Sequence, residues 1–377
     1  MTLSERNSQS NHTDLLSNEE INKPPTPTTQ TVIHTSLRLN TPRLHWNDIV
    51  ISILNFLAII PLAKLIEFAT EDNISLRVGQ TIGGLLNITF GNAVELITSI
   101  SFLKDGQIRI VQASILGSII SNLLLILGIS FVAGGFYYKV QRFNQTAAQA
   151  SSSLMALACI GLVIPAAFVS SINTINVISA EQRKGELLNL SHGTAVVLLI
   201  IYILYLLFQL KTHTYLYKEE REEEEEPQLT IFISLVLLAV VTVAVTFSAD
   251  YLVGSIEGIV QSFGLSKTFV GFILFPIVNK SAEILNTIAA MGHNIDDTIK
   301  SATGCSLQIA LFVSPLLVII GWIIEREFTL FFQIFETIIL LIIIMMTNYL
   351  VQDGESNWLK GSTEDTYIEF FFFLRAW

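Results

Sequence analysis

GGLLNITFGNAVELITSI at residues 83–100 and GFILFPIVNKSAEILNTI at residues 271–288 decide how this chain is read. Each is an apolar run close to the ~20 residues that cross a bilayer as a helix. Each carries one ionisable Glu near its middle, Glu95 in the first and Glu283 in the second, with small or kink-prone residues just before it. A carboxylate inside a membrane costs roughly 2.5–3.5 kcal/mol on insertion scales, so it faces a cavity, a cation or a proton rather than lipid. The stretches that follow also correspond. QASILGSIISNLLLILG at 112–128 follows the first and SATGCSLQIALFVSPLLVIIG at 301–321 follows the second. Both have a small-residue, amide-bearing centre: Gly117, Ser118, Ser121 and Asn122 in one, Gly304, Ser306 and Gln308 in the other. The chain therefore contains an internal repeat.

Composition extends this reading to the whole chain. Of 377 residues, 51% are hydrophobic and only 14% are charged, against about 25% charge in soluble domains, and the mean hydropathy is +0.58. So little charge cannot cover a water-exposed surface, and the apolar content suffices for about nine or ten spans of ~20 residues. A soluble enzyme, a nucleic-acid-binding domain and a secreted disulfide scaffold are excluded; both cysteines, Cys159 and Cys305, lie in apolar stretches. Residues 1–47, rich in Ser, Thr, Asn and Pro, read as a disordered polar tail. Nine spans are predicted, over 48–69, 82–103, 110–133, 147–170, 191–210, 229–252, 268–291, 301–324 and 328–351. The charged end, TEDTYIEFFFFLRAW at 363–377, is a weak tenth. The net charge of −11 is mostly local, because EEREEEEE at 219–226 holds seven Glu and one Arg. That run lies in an acidic linker, 212–228, between a first membrane half, 48–211, and a second, 229–377.

The two Glu-bearing spans are the second and the seventh. Five crossings separate them, an odd number, so they run in opposite directions through the membrane. The predicted fold is an all-α polytopic membrane protein of two inverted-topology halves. In such folds the site lies near the midplane where the two motifs meet. Two carboxylates brought together there give a formal charge of −2. Their oxygens suit a hard divalent cation such as Ca²⁺, which takes 6–8 oxygens at about 2.3–2.6 Å. Backbone carbonyls and amides such as Asn92 and Gln308 can supply the rest. The same oxygens can hold protons instead, and competition between the two ions is what an exchange cycle needs. No covalent bond changes, so an enzyme is not expected. Neither is a cofactor beyond the transported Ca²⁺ and H⁺, and the partners are those ions and the lipid bilayer, with no nucleic acid.

The strings GNAVELITSI, QASILGSIISNLLLILG and SATGCSLQIALFV resemble the two α-repeats of the cation/proton exchangers, within the calcium/cation antiporter superfamily. The acidic run between the halves resembles the acidic helix of these exchangers, and the similarity covers most of residues 48–360. The resemblance implies Ca²⁺/H⁺ antiport at a vacuolar or similar acidic-compartment membrane. It also implies that Glu95 and Glu283 bind the cation, with Asn92, Gln112, Ser118, Ser306 and Gln308 around them. The chain departs from the family pattern in three places. Lys280 stands where an Asn would match Asn92, and Ile284 where the family carries His. Family members carry eleven helices, whereas here no apolar run precedes residue 48 and the last segment is charged, which implies a core with an atypical C-terminal end. Lys280 has three readings in sequence: a protonated lysine that lowers the site charge toward −1 and opposes a divalent cation, a lysine deprotonated by burial, or one that points away. Altered selectivity, for Mn²⁺ or a monovalent cation, and a transport-dead paralogue are the alternatives it raises. Pro276 and Pro315 flank the second motif and are expected to break helices there.

Overall fold

The computed structural model describes residues 46–75, 89–175, 180–216, 228–290, 295–364 and 366. Apart from residues 46 and 47, the tail expected over 1–47 lies outside the described residues. So do the acidic run at 219–226, the first part of the second span and residues 367–377.

Helices dominate, as the hydropathy requires. In the first half they are α1 (Trp46–Ala69), α2 (Ala93–Lys104), α3 (Ile108–Gly135), α4 (Gln145–Ile175) and α5 (Ala180–Leu207). The second half holds α6 (Ile231–Phe263), α7 (Lys267–Asn279), α8 (Ser281–Ala290), α9 (Ile295–Gln308 continuing to Ile323) and α10 (Ile334–Leu350). Two short strands, β1 (Gln141–Arg142) and β2 (Glu355–Ser356), pair antiparallel. Among the described residues six helices are long and apolar enough to cross a membrane: α1, α3, α4, α5, α6 and α9. The other three expected spans fall on α2, of 12 residues, on α10, of 17, and on α7 and α8 together. The single continuous helix expected over 268–291 is thus replaced by two helices with a turn at Lys280 between them.

Burial sorts the helices. In α3 and α9 the most apolar windows are 83% and 67% buried, against 22–44% in the other four long helices. A helix that is apolar all round and still exposed has lipid as its partner. Leu54 and Leu57 of α1, Ile203 and Leu204 of α5, and Val240 and Phe247 of α6 form such outward faces. α3 and α9, the helices with the small, amide-bearing centres, are therefore the core. α1 packs along α6, where the Ser52 and Ser255 hydroxyls meet at 2.5 Å. Phe275 at the end of α7 ties this pair to the site, packing against Phe56 at 5.3 Å and edge-on to Phe102 of α2 at 4.7 Å.

Both core helices loosen at their centres. α3 passes through a π-helical turn at Ser121–Ile126 and α9 through one at Ile309–Val313; α7 has a third at Val270–Leu274. Pro315 and Pro276 each follow a π turn by two residues. Proline has no N–H, and its ring collides with the carbonyl four residues back. Widening the preceding turn lets the helix continue past that collision. The expected breaks at Pro276 and Pro315 are therefore wide turns, and the full break falls at Lys280. α3 and α7 cross at close range. A Cβ on Gly117 would stand 2.8 Å from the Phe272 carbonyl carbon and 2.8 Å from Pro276 Cγ.

Candidate functional site

Both glutamates lie beside helix breaks rather than in the middle of continuous helices. In the first half Gly91 and Asn92 form a turn, Asn92 caps α2, and Glu95 is in its first turn. Lys280 separates α7 from α8 in the second half, and Glu283 is in the first turn of α8. The two caps correspond in detail. The Asn92 carbonyl accepts from the Leu96 N–H at 3.0 Å, and the Lys280 carbonyl accepts from the Ile284 N–H at 2.9 Å. Both residues have non-helical backbone, φ −111° and ψ 22° at Asn92, φ −99° and ψ 6° at Lys280. In each case the Glu follows three residues later. The first turn of a helix leaves backbone N–H groups free and carries a partial positive charge, which favours a carboxylate there.

Four of the predicted site residues form one hydrogen-bonded chain across the two halves. Glu283 Oε1 accepts from Lys280 Nζ at 2.8 Å, and Lys280 Nζ also donates to Asn92 Oδ1 at 2.8 Å. Asn92 Nδ2 in turn donates to Gln308 Oε1 at 2.6 Å. Residues 188 and 216 positions apart are thus joined by side chains that are nearly all buried; the exception is Glu283, whose side chain is 23% exposed. Glu95 is 2% exposed, and neither of its carboxylate oxygens has a hydrogen-bond partner among the described residues. Lys280, Ser118 and Glu283 are the groups whose charge or dipole acts on it. The Ser118 hydroxyl is fully buried beside it, outside hydrogen-bonding geometry but near enough for its dipole to act on the carboxylate.

Two predicted residues make their hydrogen bonds away from the carboxylates. Gln112 Nε2 donates to the Thr329 carbonyl at 2.9 Å, tying α3 to the segment before α10 and not to the carboxylates. The Ser306 hydroxyl donates to the Ala302 carbonyl at 2.9 Å, with the Ile119 carbonyl of α3 at 3.5 Å. It holds the two core helices together. Four further polar residues of the two motifs lie outside the predicted set. Cys305 points its thiol at Glu283 Oε1, 3.7 Å away. Asn279 and Ser314 are buried with no hydrogen-bond partner for their side-chain polar atoms among the described residues, and so is Asn122 of the first motif. Asn279 immediately precedes Lys280 and was legible as a neighbour of the motif; Cys305 reads in sequence as one more apolar residue.

Buried polar atoms without partners are rare because each costs about 1–3 kcal/mol, and an ion or water is a common remedy. Within the two motifs the unpartnered atoms among the described residues belong to Glu95, Ser118, Ser121, Asn122, Asn279, Glu283 and Ser314. Among the described residues no three His, Cys, Asp or Glu side chains come together. A cation at this place would therefore be held by two carboxylates and completed by neutral oxygens.

Comparison with known proteins agrees with this architecture. The sodium/calcium exchanger protein family matches residues 48–211 and 233–363, both sides of the acidic linker. A vacuolar calcium ion transporter of Schizosaccharomyces pombe is 46% identical, over 84% of this chain and 76% of its own length. A Ca²⁺/H⁺ antiporter of Aphanothece halophytica is 40% identical, over 85% of this chain and 88% of its own. The solved structure of native YfkE superposes with a TM-score of 0.72 at 33% identity, covering 88% of this chain and 94% of that one. The chain belongs to the sodium/calcium exchanger protein family.

Proposed function

We propose that this protein is a secondary antiporter that exchanges Ca²⁺ for H⁺ across the membrane of an acidic compartment of vacuolar type. The observation that carries the reading is the pair of buried Glu95 oxygens without hydrogen-bond partners among the described residues, facing Lys280, Ser118 and Glu283 at the meeting of the two motifs. A carboxylate so placed is costly unless it binds something. The names of its relatives, a vacuolar calcium ion transporter and a Ca²⁺/H⁺ antiporter, support the choice of ions.

In this reading α1 to α5 and α6 to α10 are two inverted halves making nine spans. α2, α7 with α8, and α10 supply the spans beyond the six long helices. The matched caps at Asn92 and Lys280 and the matched π turns of α3 and α9 support that symmetry. Glu95 and Glu283 bind Ca²⁺ when ionised and protons when the facing compartment is acidic. Asn92, Gln308 and Ser118 line the seat, while Gln112 and Ser306 hold the helices that frame it. Rocking of one half against the other exposes the seat to each side in turn. Protons running out of the acidic compartment drive Ca²⁺ in, with no covalent step.

The test is ⁴⁵Ca²⁺ uptake into vesicles carrying this chain under an imposed inside-acid gradient. Uptake that collapses with the gradient and is lost in Glu95→Gln is expected. Gradient-independent uptake, or full uptake in Glu95→Gln, would refute the mechanism.

A further inference from the structure

The geometry points to Lys280 as a tethered competitor for the cation seat, a residue that sets the affinity of the site by sitting where the transported ion must sit. This rests on the reading of Glu95 and Glu283 as the ion-binding pair.

Of the three sequence readings of Lys280, pointing away is excluded. Its side chain is 2% exposed, and Nζ lies 2.8 Å from both Asn92 Oδ1 and Glu283 Oε1. These oxygens come from opposite motifs and are among those a Ca²⁺ ion would bridge. An ion that took both oxygens at the usual Ca²⁺–O distance of about 2.3–2.6 Å would have to displace Nζ from the same two acceptors. Lysine and cation therefore exclude each other. Gln308 Oε1, a further neutral donor, is engaged by Asn92 Nδ2 in the same arrangement. What stays open is Glu95, with Glu283 Oε2 and the Ser118 hydroxyl. With the ammonium seated, the two carboxylates carry a net −1 rather than −2. Ca²⁺ can complete its shell only after Lys280 swings out, and the short tether returns it at a high effective concentration. A compact point charge on a flexible four-carbon stem suits that exchange of seats.

Equilibrium ⁴⁵Ca²⁺ binding to the purified full chain in nanodiscs, at one fixed pH, tests the inference with Lys280→Asn, Lys280→Gln and Lys280→Arg beside the parent. The two neutral variants bind Ca²⁺ at least tenfold more tightly than the parent, and Lys280→Arg binds no more tightly. Having two neutral variants keeps the test decisive should one fail to fold. Affinities of both neutral variants within twofold of the parent would overturn the inference, because lysine and Ca²⁺ would then occupy different places. Tighter binding by Lys280→Arg would overturn it as well. Absence of Ca²⁺ binding in the parent and in every folded variant would instead overturn the Ca²⁺ reading of the carboxylates on which the inference rests.

Discussion

Gly117→Ala places a methyl group inside the crossing of α3 and α7. Its Cβ would stand 2.8 Å from the Phe272 carbonyl carbon and 2.8 Å from Pro276 Cγ, with the Phe272 carbonyl oxygen closer still. Carbon–carbon contacts settle at about 3.5–4.0 Å, so α7 must retreat by roughly 0.7 Å or more. The two helices are also close at Gly271, where a Cβ would lie 2.6 Å from the Ile110 carbonyl oxygen, so the retreat opens a second close contact as well. Two terms oppose each other. Alanine favours a helix over glycine by about 1 kcal/mol. Overpacking costs typically about 1–3 kcal/mol, and a backbone carbonyl cannot rotate away as a side chain can. The overpacking term is the larger, and the variant loses up to about 2 kcal/mol of stability. Transport suffers more. α7 ends at Asn279 and leads directly into Lys280 and Glu283, and a displacement of ~0.7 Å exceeds the ~0.5 Å within which a preorganised site works. Thermal unfolding in detergent and gradient-driven ⁴⁵Ca²⁺ uptake are the assays, with at least a tenfold fall in uptake expected. Gly193→Ala on α5 is the control, because a Cβ there meets nothing within 4 Å, so it leaves uptake unchanged and stability level or raised. Parent-like stability and uptake in Gly117→Ala would refute the close crossing.

Glu95→Gln abolishes Ca²⁺ uptake yet unfolds no earlier than the parent, because an unpartnered buried charge becomes a neutral amide; a clear fall in unfolding temperature would show that the carboxylate is structural. Glu336→Ala destabilises by about 2–3 kcal/mol in thermal or denaturant unfolding, since the carboxylate is 0% exposed, pairs with Arg109 and closes the capping box of α10. The magnitude sits below that of a fully buried pair because Arg109 keeps 26% of its side chain exposed. Removing both members of Arg142–Glu355, whose side chains are 82% and 48% exposed, changes stability by less than about 1 kcal/mol; a larger loss would mean that the β1–β2 strap depends on this pair.

Much of this was legible in the residues. Nine apolar runs were read, and each carries helix in the described residues. Both glutamates and the amides Asn92 and Gln308 are named from two motifs of matching pattern 188 residues apart, and the structure joins Asn92 to Gln308 directly and to Glu283 through Lys280. What could not be read was local backbone. A π turn differs from an α turn by one residue of hydrogen-bond register, and nothing in SNLLLI or IALFV signals it. The break at Lys280 was hidden for a similar reason, because Asn279, Lys280 and Ser281 are all tolerated inside helices. The partner of Gln112 is not legible, because a helical face says which way an amide points, not which carbonyl it meets; Thr329 lies more than 200 residues away. Cys305 reads in sequence as an apolar residue, and only the fold sets its thiol beside the Glu283 carboxylate.

The breaks and the lysine form one electrostatic arrangement. An intramembrane carboxylate costs roughly 2.5–3.5 kcal/mol. A place in the first turn of a helix returns about 0.3–1 kcal/mol, and ~2 kcal/mol in the best partly buried cases. Both glutamates hold such a place, so each is left short by a similar amount. The second half makes up the difference internally: Lys280, at the cap of α8, donates to Glu283. The first half does not, because the equivalent cap is Asn92, a neutral amide whose oxygen and nitrogen are taken by Lys280 and Gln308. Glu95 therefore carries the unmet demand, and a cation or proton supplied from outside must answer it. An exchanger with Asn at both caps would divide that demand between its glutamates. Here the asymmetry concentrates it on one, so Glu95→Gln should abolish ion binding outright, whereas Glu283→Gln, by freeing Lys280 to pair with Glu95, should leave a folded protein with its seat permanently filled. Protection of Lys280 from amine-reactive reagents in Glu283→Gln, equal to or above that in the parent, is the expected result, and ready labelling of Lys280 in that variant would refute it.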